Sequence, residues 1–221
     1  MLKFQVIIPV VNPGLADVLI EETEKNTLLP ERVIIIDNSY CDYKPYSDKF
    51  PIYIYHSISG TVNESINLGI SKTHDCDYVS IFNDDIQIAP WFFFRTHLIF
   101  KDIPICSVAC PNTIVDPKQL PLKESPSQFV QMKKRAGWCV SFRKEILDKV
   151  PPIPDTRIRT FYGDDWLWYW TTVFIGKKWF MDMGNMIYHM IGQSTLKLGK
   201  RKSKERELLA WREIRKEYKM P

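Results

Sequence analysis

Asp77-Tyr78-Val79-Ser80-Ile81-Phe82-Asn83-Asp84-Asp85-Ile86-Gln87-Ile88 is the stretch that decides the fold. An apolar run of strand length, Tyr78 to Phe82, delivers two adjacent carboxylates, and a second short strand resumes after them. Buried strands of α/β proteins read this way, and ligands gather at their carboxyl ends. Neighbouring aspartates repel each other unless a cation or a proton relieves them. Hard divalent cations such as Mg²⁺ or Mn²⁺ take oxygen ligands and carry substrate phosphates. The stretch therefore has two readings, a metal–diphosphate anchor at a strand end or a solvated Asn-Asp-Asp turn.

Working outward, the upstream sequence alternates strands and helices. Lys3 to Pro9 forms a buried strand closed by the turn Val10-Val11-Asn12-Pro13-Gly14, and Leu15 to Asn26 has helical spacing. Val33 to Ile36 is a second strand ending in Asp37-Asn38-Ser39, and Ile52 to Tyr55 is a third. Gly60 to Ser71 is a helix with Asn63 and Asn67 four apart on one side. This order predicts a mostly parallel, Rossmann-like sheet flanked by helices, with polar groups at three strand ends: Asn12, Asp37 and Asp84/Asp85.

Downstream, Trp91 to Phe100 is an aromatic helix and Ile105 to Cys110 a strand, followed by a loop punctuated by Pro111, Pro117, Pro121 and Pro126. Ala136 to Phe142 is a strand, and Arg143 to Val150 a short helix stopped by Pro151, Pro152 and Pro154. Gly163-Asp164-Asp165 opens the helix of Trp166–Trp170 with acidic residues in its first turn, where the helix dipole favours them. Lys177 to Asp182 and Met186 to His189 are expected as two closing strands. From Ser203 to Tyr218 runs a charged helix with Leu208, Trp211, Ile214 and Tyr218 on one stripe.

Composition places few further limits. A chain of 221 residues with 45% hydrophobic and 25% charged residues suits one soluble domain with a full core. The opening Met1-Leu2-Lys3-Phe4 lacks a secretory pattern, and no uninterrupted apolar run reaches the ~18 residues of a membrane span. A cytoplasmic protein, peripheral to a membrane at most, is expected. The five cysteines, Cys41, Cys76, Cys106, Cys110 and Cys139, form no Cys-x-x-Cys pair and read as free thiols in a reducing compartment. The net charge of +4 is uneven: residues 197–219 hold ten Lys/Arg against four Glu. That basic segment is either a helix packed on the domain or a contact for an anionic membrane surface or nucleic acid.

Six elements in order resemble the family 2 glycosyltransferases of the GT-A fold, in particular the branch that transfers sugars such as rhamnose. They are Val6-Ile7-Ile8-Pro9, Ile35-Ile36-Asp37-Asn38-Ser39, Asn63…Asn67-Leu68-Gly69-Ile70, Phe82-Asn83-Asp84-Asp85, Tyr162-Gly163-Asp164-Asp165, and Tyr188-His189 with Gly192 and Ser194. The resemblance covers residues 3–195. It implies a glycosyltransferase domain over 1–195, with a nucleotide-binding half to about residue 90 and an acceptor half from about 91, and leaves 196–221 as a basic tail.

The resemblance also implies the roles. Pro9, Val10 and Asn12 line the nucleotide pocket, with Asn63, Asn83 and Asp84 beside the donor, and Asp37 holds the base or ribose. Asp85, supported by Asp84 or Asn83, binds Mn²⁺ or Mg²⁺ on the donor diphosphate, and His189 contacts the metal or the diphosphate. Asp164 and Asp165 supply the general base where the family more often has Gly-Glu-Asp, with Asp165 the choice. Gly137, Trp138 and Trp166 are candidates for the acceptor pocket, although the aromatic run Trp166–Trp170 reads first as core, with one ring able to stack on an acceptor sugar or base. The implied reaction is an inverting, metal-dependent transfer from a nucleotide-diphosphate sugar to a hydroxyl of a glycan, a lipid-linked sugar or a modified nucleic-acid base.

The chemistry agrees with two separate acidic sites. A leaving sugar-nucleotide diphosphate needs a cation, and the attacking hydroxyl needs a proton acceptor on the opposite face. Each residue alone has a plainer reading: Asp37 as a turn cap, Asp164 and Asp165 as helix-start charges, His189, His56, His74 and His97 as structural histidines. A nucleotidyltransferase would also want carboxylates and metal, but Pro9-Val10-Val11-Asn12-Pro13 occupies the place of its Gly-rich basic loop. A binding module that has lost turnover is the other alternative, and the two acidic sites argue against it.

Overall fold

The structure, a computed structural model, describes residues 2–39, 41–114, 116, 118, 120, 124–133, 139–160, 162–190 and 200–220, with side chains from 204 in the last segment. The apolar runs form strands β1 (Phe4–Val10), β2 (Arg32–Asp37), β3 (Ile52–His56), β4 (Tyr78–Phe82) and β5 (Ile86–Ile88). Helices α1 (Pro13–Glu24) and α2 (Val62–Lys72) cross between them. The second half supplies α3 (Phe92–Asp102), β6 (Cys106–Ile114), β7 (Phe129–Gln131), β8 (Cys139–Arg143), α4 (Lys144–Leu147), α5 (Gly163–Tyr169), β9 (Lys178–His189) and α6 (Lys200–Glu217).

Among the described residues one nine-stranded sheet runs β3-β2-β1-β4-β8-β6-β9-β5, with β7 on β9. The first four strands are parallel throughout, as the alternation of strand and helix predicts. Beyond β4 the sheet is mixed: β8 pairs antiparallel with both β4 and β6, and β6 pairs parallel with β9. Side chains of β1 show why both faces are covered. Phe4, Val6, Ile8 and Val10 pack with α1 and α3, and Ile7 points to the opposite layer. There α2 lies so close that a Cβ on Gly69 would stand 2.3 Å from Ile7 Cγ2.

The two closing strands predicted from sequence are one strand, β9, with a bulge. Its pairing with β6 jumps from Pro111–Asp182 to Asn112–Met186. A buried bidentate ion pair fixes the bulge: Arg95 Nε and Nη2 donate to Asp182 at 2.7 and 2.8 Å, both side chains fully buried. Asp182 Oδ1 also accepts the Gly184 N–H at 3.0 Å. The bend aims the last residues of β9 at β5, so that His189 pairs with Ile86, next to Asp85.

Helix α6 belongs to the core. Trp211, Ile214 and Met220 are buried in the same cluster as Ile7, Val79 and Trp166, so the segment read as a basic tail packs its apolar stripe on the domain. Among the described residues no helix is long and apolar enough to cross a membrane. All five cysteines are free, with Cys106, Cys110 and Cys139 buried.

One half-buried carboxyl makes stability depend on pH. Glu22 of α1 accepts the Ile88 N–H at 2.8 Å. Burial, opposed by that hydrogen bond and by Lys25, pushes its pKa up to about 7 from 4.5. The folded state then holds the proton more tightly, so this stability is complete below the unfolded value and is lost as pH rises through about 7. Glu22→Gln keeps the acceptor and removes the titration. Its melting temperature relative to wild type is expected to climb between about pH 5 and about pH 8, as read by calorimetry. A constant difference would refute the assignment.

Candidate active site

The site begins where the central strands end. The register sets Val10 of β1 beside Asp37 of β2, and β4 runs parallel on the other side of β1. Asp84, in the turn after β4, accepts the N–H groups of Val11 and Asn12 on one oxygen, Oδ2, both at 2.7 Å. A carboxylate holding two peptide N–H groups is well compensated despite being 3% exposed. Asp84 thereby fixes the β1–α1 turn, with Asn12 at the N-cap of α1 and Pro13 inside its first turn.

Its neighbour faces elsewhere. Asp85 Oδ1 is buried, accepts no hydrogen bond and lies 3.2 Å from His189 Nε2. Met190 N donates to the Asp85 carbonyl and so ties this turn to the end of β9. An uncommitted carboxylate oxygen beside an imidazole nitrogen suits a divalent cation, since both are ordinary ligands for Mn²⁺. Among the described residues no group of three or more His, Cys, Asp or Glu is gathered as a metal cage. Two protein ligands are what a cation held jointly with a substrate diphosphate requires.

At the ends of β2 and β3 a cleft of about 210 Å³ opens, lined by Asp37, Asn38, Cys41, His56 and the loop Ser57-Ile58-Ser59-Gly60. Asp37 Oδ1 accepts the Ser39 N–H and hydroxyl, the turn-capping role readable from sequence, and Oδ2 lies 3.7 Å from His56 Nδ1. Glu64 fixes the loop by accepting the N–H groups of Ile58 and Ser59 at 3.0 and 2.8 Å. On the other side Tyr43 donates to Asp17 on α1 at 2.8 Å. Burial, with Asp17 second, raises the Tyr43 phenol far above its usual range. His56, read from sequence as structural, is an exposed wall of this cleft; its place at the carboxyl end of β3 is the signal that finds it.

The second acidic pair sits in the first turn of α5, Asp165 buried and Asp164 half-buried. Two asparagines of α2 hold the loop that leads there. Asn67 clasps Ile153 in both directions, donating to its carbonyl at 2.8 Å and accepting its N–H at 2.9 Å. Asn63 donates to the Ile158 carbonyl at 2.8 Å, and its N–H reaches the Arg159 carbonyl. A Cβ at position 163 would lie 2.2 Å from Asn63 Oδ1, so the helix of the acidic pair starts against Asn63 only with Gly163. Because α2 begins just beyond β3, these contacts anchor the start of α5, with Asp164 and Asp165, against the first turns of α2.

Two of the expected site residues are buried and make structural contacts. Asn63 is 1% exposed and bound to the loop, so it supports the start of the acidic pair's helix. Trp166 is also 1% exposed and donates its indole N–H to the Pro151 carbonyl at 2.9 Å, which makes it a core ring. Pro9, Asn12 and Asn83 are half-buried at the strand ends, and Val10 is buried. Gly137, Trp138, Gly192 and Ser194 lie outside the described residues.

No family model matches the sequence, and none of the curated proteins does. The solved structures do match. GalNAc-T7 with UDP, GalNAc and Mn²⁺ superposes with a TM-score of 0.67 at 11% identity, over 86% of this chain and 43% of that one. S. aureus TarS 1-349 in complex with UDP superposes with a TM-score of 0.67 at 12% identity, over 95% of this chain and 65% of that one. TarS 1-349 without UDP gives 0.58 at 14% identity, over 87% and 62%. The chain has the GT-A glycosyltransferase fold. It spans between 43% and 65% of the lengths of these GT-A structures.

Within this GT-A fold the two neighbouring aspartates have separable jobs. Asp84→Ala strands two peptide N–H groups and is expected to cost about 2–4 kcal/mol in denaturant unfolding. Asp85→Ala removes an oxygen that accepts no hydrogen bond, so it is expected to cost under about 1 kcal/mol. Equal losses would contradict this division.

Proposed function

We propose that this protein transfers a sugar from a nucleotide-diphosphate donor to a hydroxyl acceptor, with inversion and with a divalent cation. The observation that carries the reading is Asp85 Oδ1, buried without a hydrogen bond beside His189 Nε2. Asp85 and His189 would hold the cation, Mn²⁺ or Mg²⁺, which when bound offsets the negative charge of the leaving diphosphate. That GalNAc-T7 was solved with UDP and Mn²⁺, and TarS with UDP, supports a donor of this class.

The chain's own groups account for the remaining requirements. The cleft at Asp37 is the place for the base and ribose: Asp37 Oδ2 and the exposed His56 ring beside it offer polar groups at a nucleoside's edge. Pro9, Val10 and Asn12 would extend that pocket from the neighbouring end of β1, where Asp84 holds the turn. Asp165 takes the proton of the acceptor hydroxyl as its oxygen bonds to the anomeric carbon. The bond from that carbon to the diphosphate oxygen breaks, and the nucleoside diphosphate departs with the electron pair. Attack opposite to the leaving group inverts the anomeric centre.

Cys41 makes the nucleotide pocket testable without turnover. It is exposed in the cleft wall, whereas burial pushes Cys76 up to about 11 and Cys106 up to about 12 and holds Cys110 and Cys139 well above the usual thiol range. Iodoacetamide should label Cys41 first, and UDP with Mn²⁺ should slow that labelling, as read by peptide mass spectrometry. Labelling indifferent to every nucleoside diphosphate would remove the donor site from this cleft. Asp165→Asn is expected to slow sugar transfer by about 10²–10⁴-fold while leaving UDP protection of Cys41 intact. A larger defect in Asp164→Asn would exchange the two roles.

A further inference from the structure

The loop between α4 and α5 ends in Tyr162, whose φ of 63° and ψ of 3° place a non-glycine residue in the left-handed region. Such a conformation persists only where the surroundings over-determine it. It lies immediately before Gly163-Asp164-Asp165. Asn63 and Asn67 grip this loop from the α2 side, and α6 grips it from the other.

The grip of α6 is directed at the loop's backbone. Glu207, 8% exposed, accepts the Arg159 N–H at 3.1 Å and the Thr160 N–H at 3.1 Å. One turn further on, the Trp211 indole stacks on the Tyr162 ring, centroids 5.8 Å apart and planes 10° from parallel. Nearer its end, Glu217 accepts from Arg157 at 2.7 Å, and Tyr218 meets the edge of Trp166 at 5.1 Å. A helix that only closed the core would need its apolar stripe alone. A nearly buried carboxylate aimed at two peptide N–H groups serves the loop instead.

We infer that α6 is a clamp on the base-bearing segment, with Glu207 and Trp211 as positioning residues that hold Tyr162 in its left-handed state and so aim Asp164 and Asp165. The inference rests on the proposed role of Asp165 as the base. The nucleotide cleft is built from the ends of β2 and β3 with their following loops, and among the described residues none of its walls belongs to α6. Loss of the clamp therefore damages the chemical step and spares the donor.

The test uses the full chain, comparing wild type with Glu207→Ala and Glu207→Gln. In Glu207→Ala, hydrogen exchange at the Arg159 and Thr160 amides is expected to rise about tenfold or more. Its kcat for sugar transfer should fall about 10- to 100-fold, with the donor KM and UDP protection of Cys41 unchanged. Glu207→Gln keeps one acceptor oxygen and should recover part of both losses. Faster exchange with kcat unmoved, unchanged exchange, or kcat and donor binding falling together would each overturn the clamp. Absence of transfer by the wild-type protein would instead retire the glycosyl-transfer reading, and the exchange comparison alone would then decide whether α6 holds the loop.

Discussion

Two adjacent carboxylates cannot share one environment without cost, and the strand-end edge is arranged around how Asp84 and Asp85 divide. Asp84 turns to the peptide N–H groups of Val11 and Asn12, which joins the ends of two central strands and sets the start of α1. Asp85 keeps an oxygen without a hydrogen bond, facing His189 across the last ladder of the sheet. The first carboxylate does structural work, and the second is left with an oxygen that no peptide group takes. Without that division the pair would be a solvated turn, the plainer reading of the same three letters.

The two sides of the site are built by different means. The proposed donor side rests on strand ends, where parallel pairing fixes β1, β2, β3 and β4 relative to one another. The proposed base side rests on a loop with no ladder of its own. It is held by side chains that imitate one: the Asn67 amide pairs with Ile153 as a strand would, and the Glu207 carboxylate takes two further peptide groups. Rigid positioning from a loop demands such contacts, because each residue that is fixed loses conformational freedom.

Much of this was legible in the sequence because it is local. The apolar runs gave the first four strands, the breaks after them gave Asp37 and Asp84/Asp85, and the stripe of Trp211 and Ile214 gave α6 its buried face. What escaped reading depends on partners far along the chain. The mixed half of the sheet follows from β8 inserting between β4 and β6, a pairing that no periodicity announces. The bulge that unites the closing strands is held by Arg95, 87 residues from Asp182. The packing of Asn63 against Gly163, a hundred residues later, is a contact of this kind. Trp166, beside the acidic pair in sequence, turns into the core because the helix period carries it to the opposite face from Asp164.

The central claim is that Asp85 and His189 hold a divalent cation together with a nucleoside diphosphate. Electron paramagnetic resonance of Mn²⁺ tests it most directly, since the free aqueous ion gives a sharp signal that collapses on binding. Adding UDP and wild-type protein together should remove more free Mn²⁺ than the protein and UDP remove separately, and Asp85→Ala should abolish the excess. Additive loss of signal in the wild type, or an excess undiminished in Asp85→Ala, would contradict the account.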